Sequence, residues 1–309
     1  MKRILCVLAL LLLLISGAFA EHGYEKVYDT AGDPGCLSVR FVWLGDKLED
    51  DKPGDCMILT SPEGKVMVLD TGHPTSTPFV TAALEQMGVE KIDYLVLSHP
   101  HIDHIGGAAT LMNRYEVGAV YTTELTYNTQ TYAACMAAIA KNKVEHIILQ
   151  EGMTLQFGQN VLIEVLNPPA EIEYPENYPE GSTQFVNNHS LVLKMTYGES
   201  SFLFGGDLYV SGERQVFDRW GDKLDVDVAK ANHHGASTST SPNWRKTVSA
   251  KITVISNYLL VDFKIARKCD TEGEVYHTYF DGDVLIRTAG DGQYTVTTAL
   301  EHMNDRYVK

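Results

Sequence analysis

The sequence predicts an α/β protein in which sheets are covered by helices. Three observations lead there. A β-hairpin signal joins two short apolar strands early in the chain. From residue 77 onward, strand patterns alternate with helix patterns. The 309 residues are 44% apolar and 21% charged, an ordinary globular balance with ample chain to bury a core. Disordered, collagen-like and multi-span membrane chains are thereby excluded.

The elements follow in order. Ser38–Leu44 alternates like a half-buried strand. Cys56–Thr60 and Lys65–Leu69 flank the turn signal Ser61-Pro62-Glu63-Gly64. Ser76 or Thr77 can cap a helix with Pro78 at its first position; Phe79, Val80, Ala83, Leu84 and Met87 share its inner face, and Gly88 ends it. Ile92–Leu97 reads as a buried strand, and a helix runs from about Gly107 to Arg114. Gly118–Thr122, Val144–Leu149, Val161–Leu166, Leu191–Tyr197 and Ser201–Phe204 are further strands, with a helix at Tyr132–Lys141. Capped helices are expected at Ser211–Trp220 and Ser241–Val248. Ile252–Ile255, Val284–Arg287 and Tyr294–Thr297 close the chain as strands. Acidic stretches at Asp46–Asp55 and Glu171–Glu180 read as solvated loops.

The N-terminus has the form of a secretory signal peptide. Lys2 and Arg3 precede an apolar run from Ile4 to Ile15, and Ala18 and Ala20 form a small-residue cleavage pattern. An uncleaved anchor is the competing reading, but the run is short beside the ~20 residues a span needs. No cysteine lies at the cleavage point, so no lipid anchor is indicated. Residues 1–20 are therefore expected to be removed, leaving 21–309 as one domain in a secreted or extracytoplasmic protein. Of the cysteines left, Cys36, Cys56, Cys135 and Cys269 are widely spaced, which excludes a zinc ribbon. They can pair as disulfides in three ways, or serve as small buried apolar residues.

The chemistry concentrates in Ser98-His99-Pro100-His101-Ile102-Asp103-His104-Ile105-Gly106-Gly107, directly after an apolar strand. Three imidazoles and a carboxylate in this run are good ligands for zinc or manganese, and a strand end holds them on a rigid support. Val68-Leu69-Asp70-Thr71-Gly72 precedes the cluster. Phe204-Gly205-Gly206-Asp207 and Asn232-His233-His234-Gly235-Ala236-Ser237 follow it.

With the H-x-H-x-D-H run, these segments resemble the motifs of the metallo-β-lactamase superfamily, over most of the chain. Gly54-Asp55-Cys56-Met57-Ile58-Leu59, Asn187-Asn188-His189-Ser190-Leu191-Val192-Leu193, the His-His-Gly run and Gly282-Asp283-Val284-Leu285-Ile286-Arg287 are similar to the β-lactamase-like domain of ComEC/Rec2 DNA-uptake proteins. Phosphorylcholine esterases of the same superfamily look related. The resemblance implies an αββα sandwich of two mixed sheets with two divalent metals at one edge, zinc or else manganese. His99 and His101 would hold the first ion. Asp103, His104 and a last-motif histidine would hold the second, with Asp207 bridging both. His234 is taken as that histidine and His233 as a substrate or supporting contact, with the two roles exchangeable. Asp70 would orient a ligand from behind, or simply cap a turn. The superfamily's remaining first-metal histidine would fall at Asn188, with His189 one residue off.

The expected activity is hydrolysis by a metal-bound hydroxide oriented by Asp103, with His233, His234 and Ser237 or Ser239 near the substrate. The serines can equally be caps. The substrate is expected to be a phosphodiester, either nucleic acid or cell-envelope material. A carboxylic ester, lactone, thioester or β-lactam is the alternative, and a non-catalytic metal-binding protein the third. No protein partner is expected. The formal net charge of −15 repels a polyanion, so nucleic acid enters only as one candidate substrate.

Overall fold

The computed structural model describes residues 23–45, 53–256 and 263–303. The expected signal segment 1–20 and most of the acidic stretch after Gly45 lie outside the described residues. In chain order the strands are β1 (Leu37–Phe41), β2 (Met57–Thr60), β3 (Val66–Leu69), β4 (Lys91–Val96), β5 (Glu116–Thr122), β6 (Glu145–Ile148), β7 (Thr154–Phe157) and β8 (Val161–Asn167). They continue as β9 (Val192–Tyr197), β10 (Ser200–Phe204), β11 (Val228–Lys230), β12 (Ile252–Ile255), β13 (Glu274–His277), β14 (Val284–Thr288) and β15 (Thr295–Thr298). The helices are α1 (23–28), α2 (Thr77–Gln86), α3 (Ile102–Ile105), α4 (Ala108–Arg114), α5 (Gln130–Asn142), α6 (Thr183–Asn188), α7 (Val210–Trp220), α8 (Pro242–Val248), α9 (Lys264–Asp270) and α10 (Thr278–Asp281).

Two mixed sheets face each other. One has eight strands in the order β15-β14-β1-β2-β3-β4-β5-β6, the other seven in the order β13-β12-β11-β10-β9-β8-β7. The period of two along each strand builds the layers. Leu37, Val39 and Phe41 of β1, Met57 and Leu59 of β2, and Met67 and Leu69 of β3 meet Val161, Ile163, Phe202 and Phe204 between the sheets. The intervening Ile58 and Val68 point outward, against Val80, Ala83 and Leu84 of α2 and Leu111 of α4. On the far side, Leu203 and Val192 pack against Val216 of α7 and Trp244 and Val248 of α8. Helices thus cover both outer faces, giving four layers. Each fully buried Leu, Ile or Phe contributes about 2 kcal/mol through removal from water.

Several expectations are corrected. β1 is buried on both faces, because α1 and the chain after it cover Ser38 and Arg40. Arg40 donates to Asp33 and to the Val27 carbonyl. Phe79 lies at the helix edge against Trp43 and is 38% exposed. Ser211 does not cap α7; Asn188 does so from outside, its Oδ1 accepting from Gly212 N at 3.1 Å. Ser241 caps α8 as expected, accepting from Trp244 N. The four cysteines are free thiols, and Cys56, Cys135 and Cys269 are buried, in keeping with the small-apolar reading. Strands β7, β11 and β13 and helices α1, α3, α6, α9 and α10 are additional to the expected elements. β11 has three residues, too few to show a period.

Candidate metal centre

Both sheets contribute to one edge. β3–β4–β5 and β10–β11–β12 are parallel runs, and their carboxyl ends open at this edge, where α/β sheets place ligands. β3 delivers Asp70, β4 delivers Ser98 to His104, β10 delivers Asp207, and β11 delivers His233 and His234. The segment entering β2, antiparallel to β3, brings Asp55 to the same edge. Gly54 (φ +84°) lets that segment pass, since a Cβ there would lie 1.6 Å from the Asp103 carbonyl oxygen. Asp55 N then donates to that carbonyl at 3.2 Å.

At the centre Asp55, His104, Asp207 and His234 each offer a ligand atom, all within 4.8 Å of one another, and all four residues are buried. Asp207 is the hub. Its Oδ2 lies 3.2 Å from His104 Nε2, 3.8 Å from His233 Nε2 and 4.0 Å from His99 Nε2, and its Oδ1 lies 3.4 Å from His234 Nε2. Asp103 Oδ2 is 3.7 Å from His234 Nε2. On the other flank, His99 Nε2 and His101 Nδ1 converge to 3.0 Å.

A carboxylate stands behind each of two imidazoles. Asp70 Oδ2 meets His104 Nδ1 at 2.9 Å, while its oxygens accept from Ser98 N and Ser98 Oγ at 2.7 Å each. Asp55 Oδ1 lies 3.1 Å from His234 Nδ1. Both rings thereby turn Nε2 toward Asp207, the arrangement in which a carboxylate fixes the tautomer of a metal-binding imidazole. His233 is oriented differently: its Nδ1 meets Thr238 Oγ1 at 2.7 Å and its ring packs against Tyr209. The hydroxyl beside His233 is thus that of Thr238; Ser237 is exposed and Ser239 buried. Tyr127 packs edge-on against His101 on the opposite side.

The electrostatics follow from this crowding. Burial opposes charge on His104, but Asp207, Asp70 and Asp103 hold its pKa well above the usual imidazole range. His234 is raised in the same way by Asp207 and Asp55 against its burial. Burial and the neighbouring His104 and His101 push His99 well below that range. Asp207 overcomes its own burial through His104 and His234 and lies well below the usual carboxylate range. Asp103, also buried, falls to about 2 beside His104 and His234.

These residues fit a divalent cation. His104 Nε2 and Asp207 Oδ1 are buried without a hydrogen bond, which a buried polar atom avoids unless another partner is provided for. Imidazole nitrogen with carboxylate oxygen suits zinc, manganese or iron. Asn188 and His189 are engaged elsewhere. Asn188 holds Ser211 and Gly212 of α7, and His189 Nδ1 meets the Phe185 carbonyl at 2.7 Å with its ring packed at a tilt against Phe185. Neither joins the cluster around Asp207.

The family model of the metallo-beta-lactamase superfamily matches residues 50–257, more than half of the chain. The chain belongs to this superfamily. Among curated relatives it is similar to ComE operon protein 3 of Bacillus subtilis, 28% identical over 225 residues, covering 66% of this chain and 27% of that protein. Recombination protein 2 of Haemophilus influenzae is 28% identical over 222 residues, covering 70% of this chain and 24% of that protein. The chain thus spans about a quarter of the length of these relatives. Among solved structures, a variant of the β-hydroxylase CmlA superposes with a TM-score of 0.52 at 13% identity, over 82% of this chain and 54% of that one, which shows the shared superfamily fold.

The sequence reading missed Asp55 and Lys230. Asp55 reads by sequence as part of a solvated acidic loop, yet it is fully buried and pairs with Lys230 Nζ at 2.6 Å. The signal was present: Asp55 stands directly against an apolar strand, after a glycine. Lys230 lies among Val228, Ala229 and Ala231, three residues before His233.

Proposed function

We propose that the chain is an exported phosphodiesterase that uses two divalent metal ions, zinc or manganese, at the edge centred on Asp207. The observation that carries the reading is the position of Asp207, one carboxylate between His99 and His101 on one side and His104, Asp103 and His234 on the other. His99 and His101 would hold one ion, Asp103, His104 and His234 the other, and Asp207 would bridge them. Bound there, the ions supply a nucleophile from water at neutral pH and stabilise charge developing on the attacked phosphate.

The chain's own groups do the rest. Asp70 holds His104 with Nε2 inward. Asp103, kept ionised, can orient an attacking water by accepting its hydrogen bond. His233, braced by Thr238 and at the rim of the cluster, can donate to a phosphate oxygen or protonate the leaving group. Tyr127, packed against His101, and Tyr209, packed against His233, can position the rest of the substrate.

Among the curated relatives, the similarity to a protein named for recombination supports phosphorus over carbonyl chemistry. The −15 net charge makes a long duplex a poor ligand, so a short or single-stranded nucleic acid or an envelope phosphodiester fits better. Export rests on the form of residues 1–20. Among the described residues no helix is long and apolar enough to cross a membrane. In this reading residues 21–309 act as one domain.

The test is a side-by-side assay of metal-reconstituted protein on bis-p-nitrophenyl phosphate, p-nitrophenyl-phosphorylcholine, single-stranded DNA and nitrocefin. Turnover of one or more phosphodiesters is expected. Turnover of nitrocefin alone would replace this reading with amide or ester hydrolysis, and no turnover by a metal-loaded protein would leave a binding protein.

A further inference from the structure

Lys230 is a fully buried lysine whose ammonium is surrounded by three oxygens. Its Nζ lies 2.6 Å from Asp55 Oδ2 and donates to the Gly206 and Ala231 carbonyls at 3.1 Å each. Two of its donors are hydrogen-bonded to carbonyls, and its charge is paired with the Asp55 carboxylate. The three acceptors come from separate segments. Asp55 enters β2, Gly206 immediately precedes Asp207, and Ala231 begins the turn that carries His233 and His234.

Asp55 passes the contact on. Its Oδ1 lies 3.1 Å from His234 Nδ1 and accepts a hydrogen bond from Ser256 Oγ. Oδ2 thus faces the Lys230 ammonium and Oδ1 faces His234 and Ser256. Stability alone does not account for such a pair, because well-packed apolar residues often replace a buried ion pair without loss.

We propose that Lys230 and Asp55 are positioning residues for the second ion, resting on the reading of this edge as a metal centre. Lys230 draws three segments together, so that Asp207 and His234 face each other. Asp55, held by that ammonium, keeps a proton on His234 Nδ1 and leaves Nε2 as the ligand. Asp55 itself does not touch the ion. Lys230 also supplies a fixed positive charge on the protein side of a centre crowded with carboxylates.

The experiment compares the wild type with Asp55→Asn, Lys230→Met and the double variant. Two quantities are read: the thermal midpoint after chelator treatment, and the affinity for Zn2+ and Mn2+ by calorimetric titration at fixed pH. Each single variant should lower the midpoint, since it leaves a buried charge or polar group without its partner. The double variant should recover much of the midpoint, while its metal affinity stays about 10–100-fold below wild type. Recovery of both quantities together would overturn the proposal and leave the pair a purely structural bridge.

A second measurement needs no variant. In zinc-loaded wild type, 15N shifts should show His234 protonated at Nδ1 and ligated through Nε2; ligation through Nδ1 would overturn the proposal. A wild type that binds neither ion would remove the metal reading itself. A double variant that binds as tightly as wild type would remove only this inference.

Discussion

His233 and His234 sit side by side in left-handed backbone, at φ +47° and +54°, and Asp70 at φ +58°. Residues other than glycine rarely adopt this region, and each such residue costs on the order of 1–3 kcal/mol unless its surroundings impose it. Here the surroundings do: Gly235 and the Lys230 contacts bend the chain so that two adjacent imidazoles reach different places, one to the rim and one to Asp55. The local pKa shifts give this centre a definite pH behaviour. His104 and His234 are raised in the folded protein, so in metal-free protein their contribution is fully present below the unfolded imidazole pKa and is lost as pH rises through the folded values. Asp103 and Asp207 are depressed, so theirs is present above the unfolded carboxyl pKa and lost as pH falls through the folded values. A metal must displace the imidazole protons. Below the folded imidazole pKa values its affinity should fall by about tenfold per pH unit for each proton displaced. Titrations at several pH values, in buffers of different ionisation heat, should show proton release on binding; pH-independent affinity without proton release would contradict the protonation states described.

At the level of elements, the motifs were legible because each follows a strand. The apolar run Ile92–Leu97 declared β4, and so put His99, His101, Asp103 and His104 at its carboxyl end. The hairpin before Asp70 declared β2 and β3. Less legible was whatever depends on partners distant in sequence. Asp55 looks solvated when read among acidic neighbours, and only the fold brings it to Lys230, 175 positions later. Asn188 is the same lesson in reverse. A position that resembles a metal ligand by motif instead satisfies the first turn of α7, where Gly212 N would otherwise lack a partner. Asn188→Ala should therefore lower stability by about 1 kcal/mol, the usual effect of losing a helix cap. The number of metal ions bound per chain should not change, as measured by elemental analysis beside a denaturant titration. A lost ion would return Asn188 to the centre.

Across the whole molecule, the two sheets close around an apolar interior and leave polar chemistry to one edge. A second buried polar centre lies elsewhere and has a different task. Arg40 is fully enclosed, pairs with Asp33 at 2.8 Å, and with Arg287 ties α1 and the chain before β1 onto the outer face of the first sheet. Removing one partner strands a charge, so Asp33→Ala should cost about 3–5 kcal/mol. Metal content should be unchanged, because this cluster and the site occupy separate parts of the fold; a loss of metal without a loss of stability would argue against that separation. The αββα architecture is readable because alternation and motif order point the same way, whereas β11, with three residues, is too short for a pattern to form. The central claim concerns Asp207 as the group shared between two ion positions. It is tested most directly by the rate of bis-p-nitrophenyl phosphate hydrolysis by metal-loaded Asp207→Asn beside wild type, with metal content determined on the same samples. Metal-dependent turnover is expected in wild type and, in the variant, a rate at least about 100-fold lower with metal lost. A variant that turns over at the wild-type rate with full metal content would contradict it.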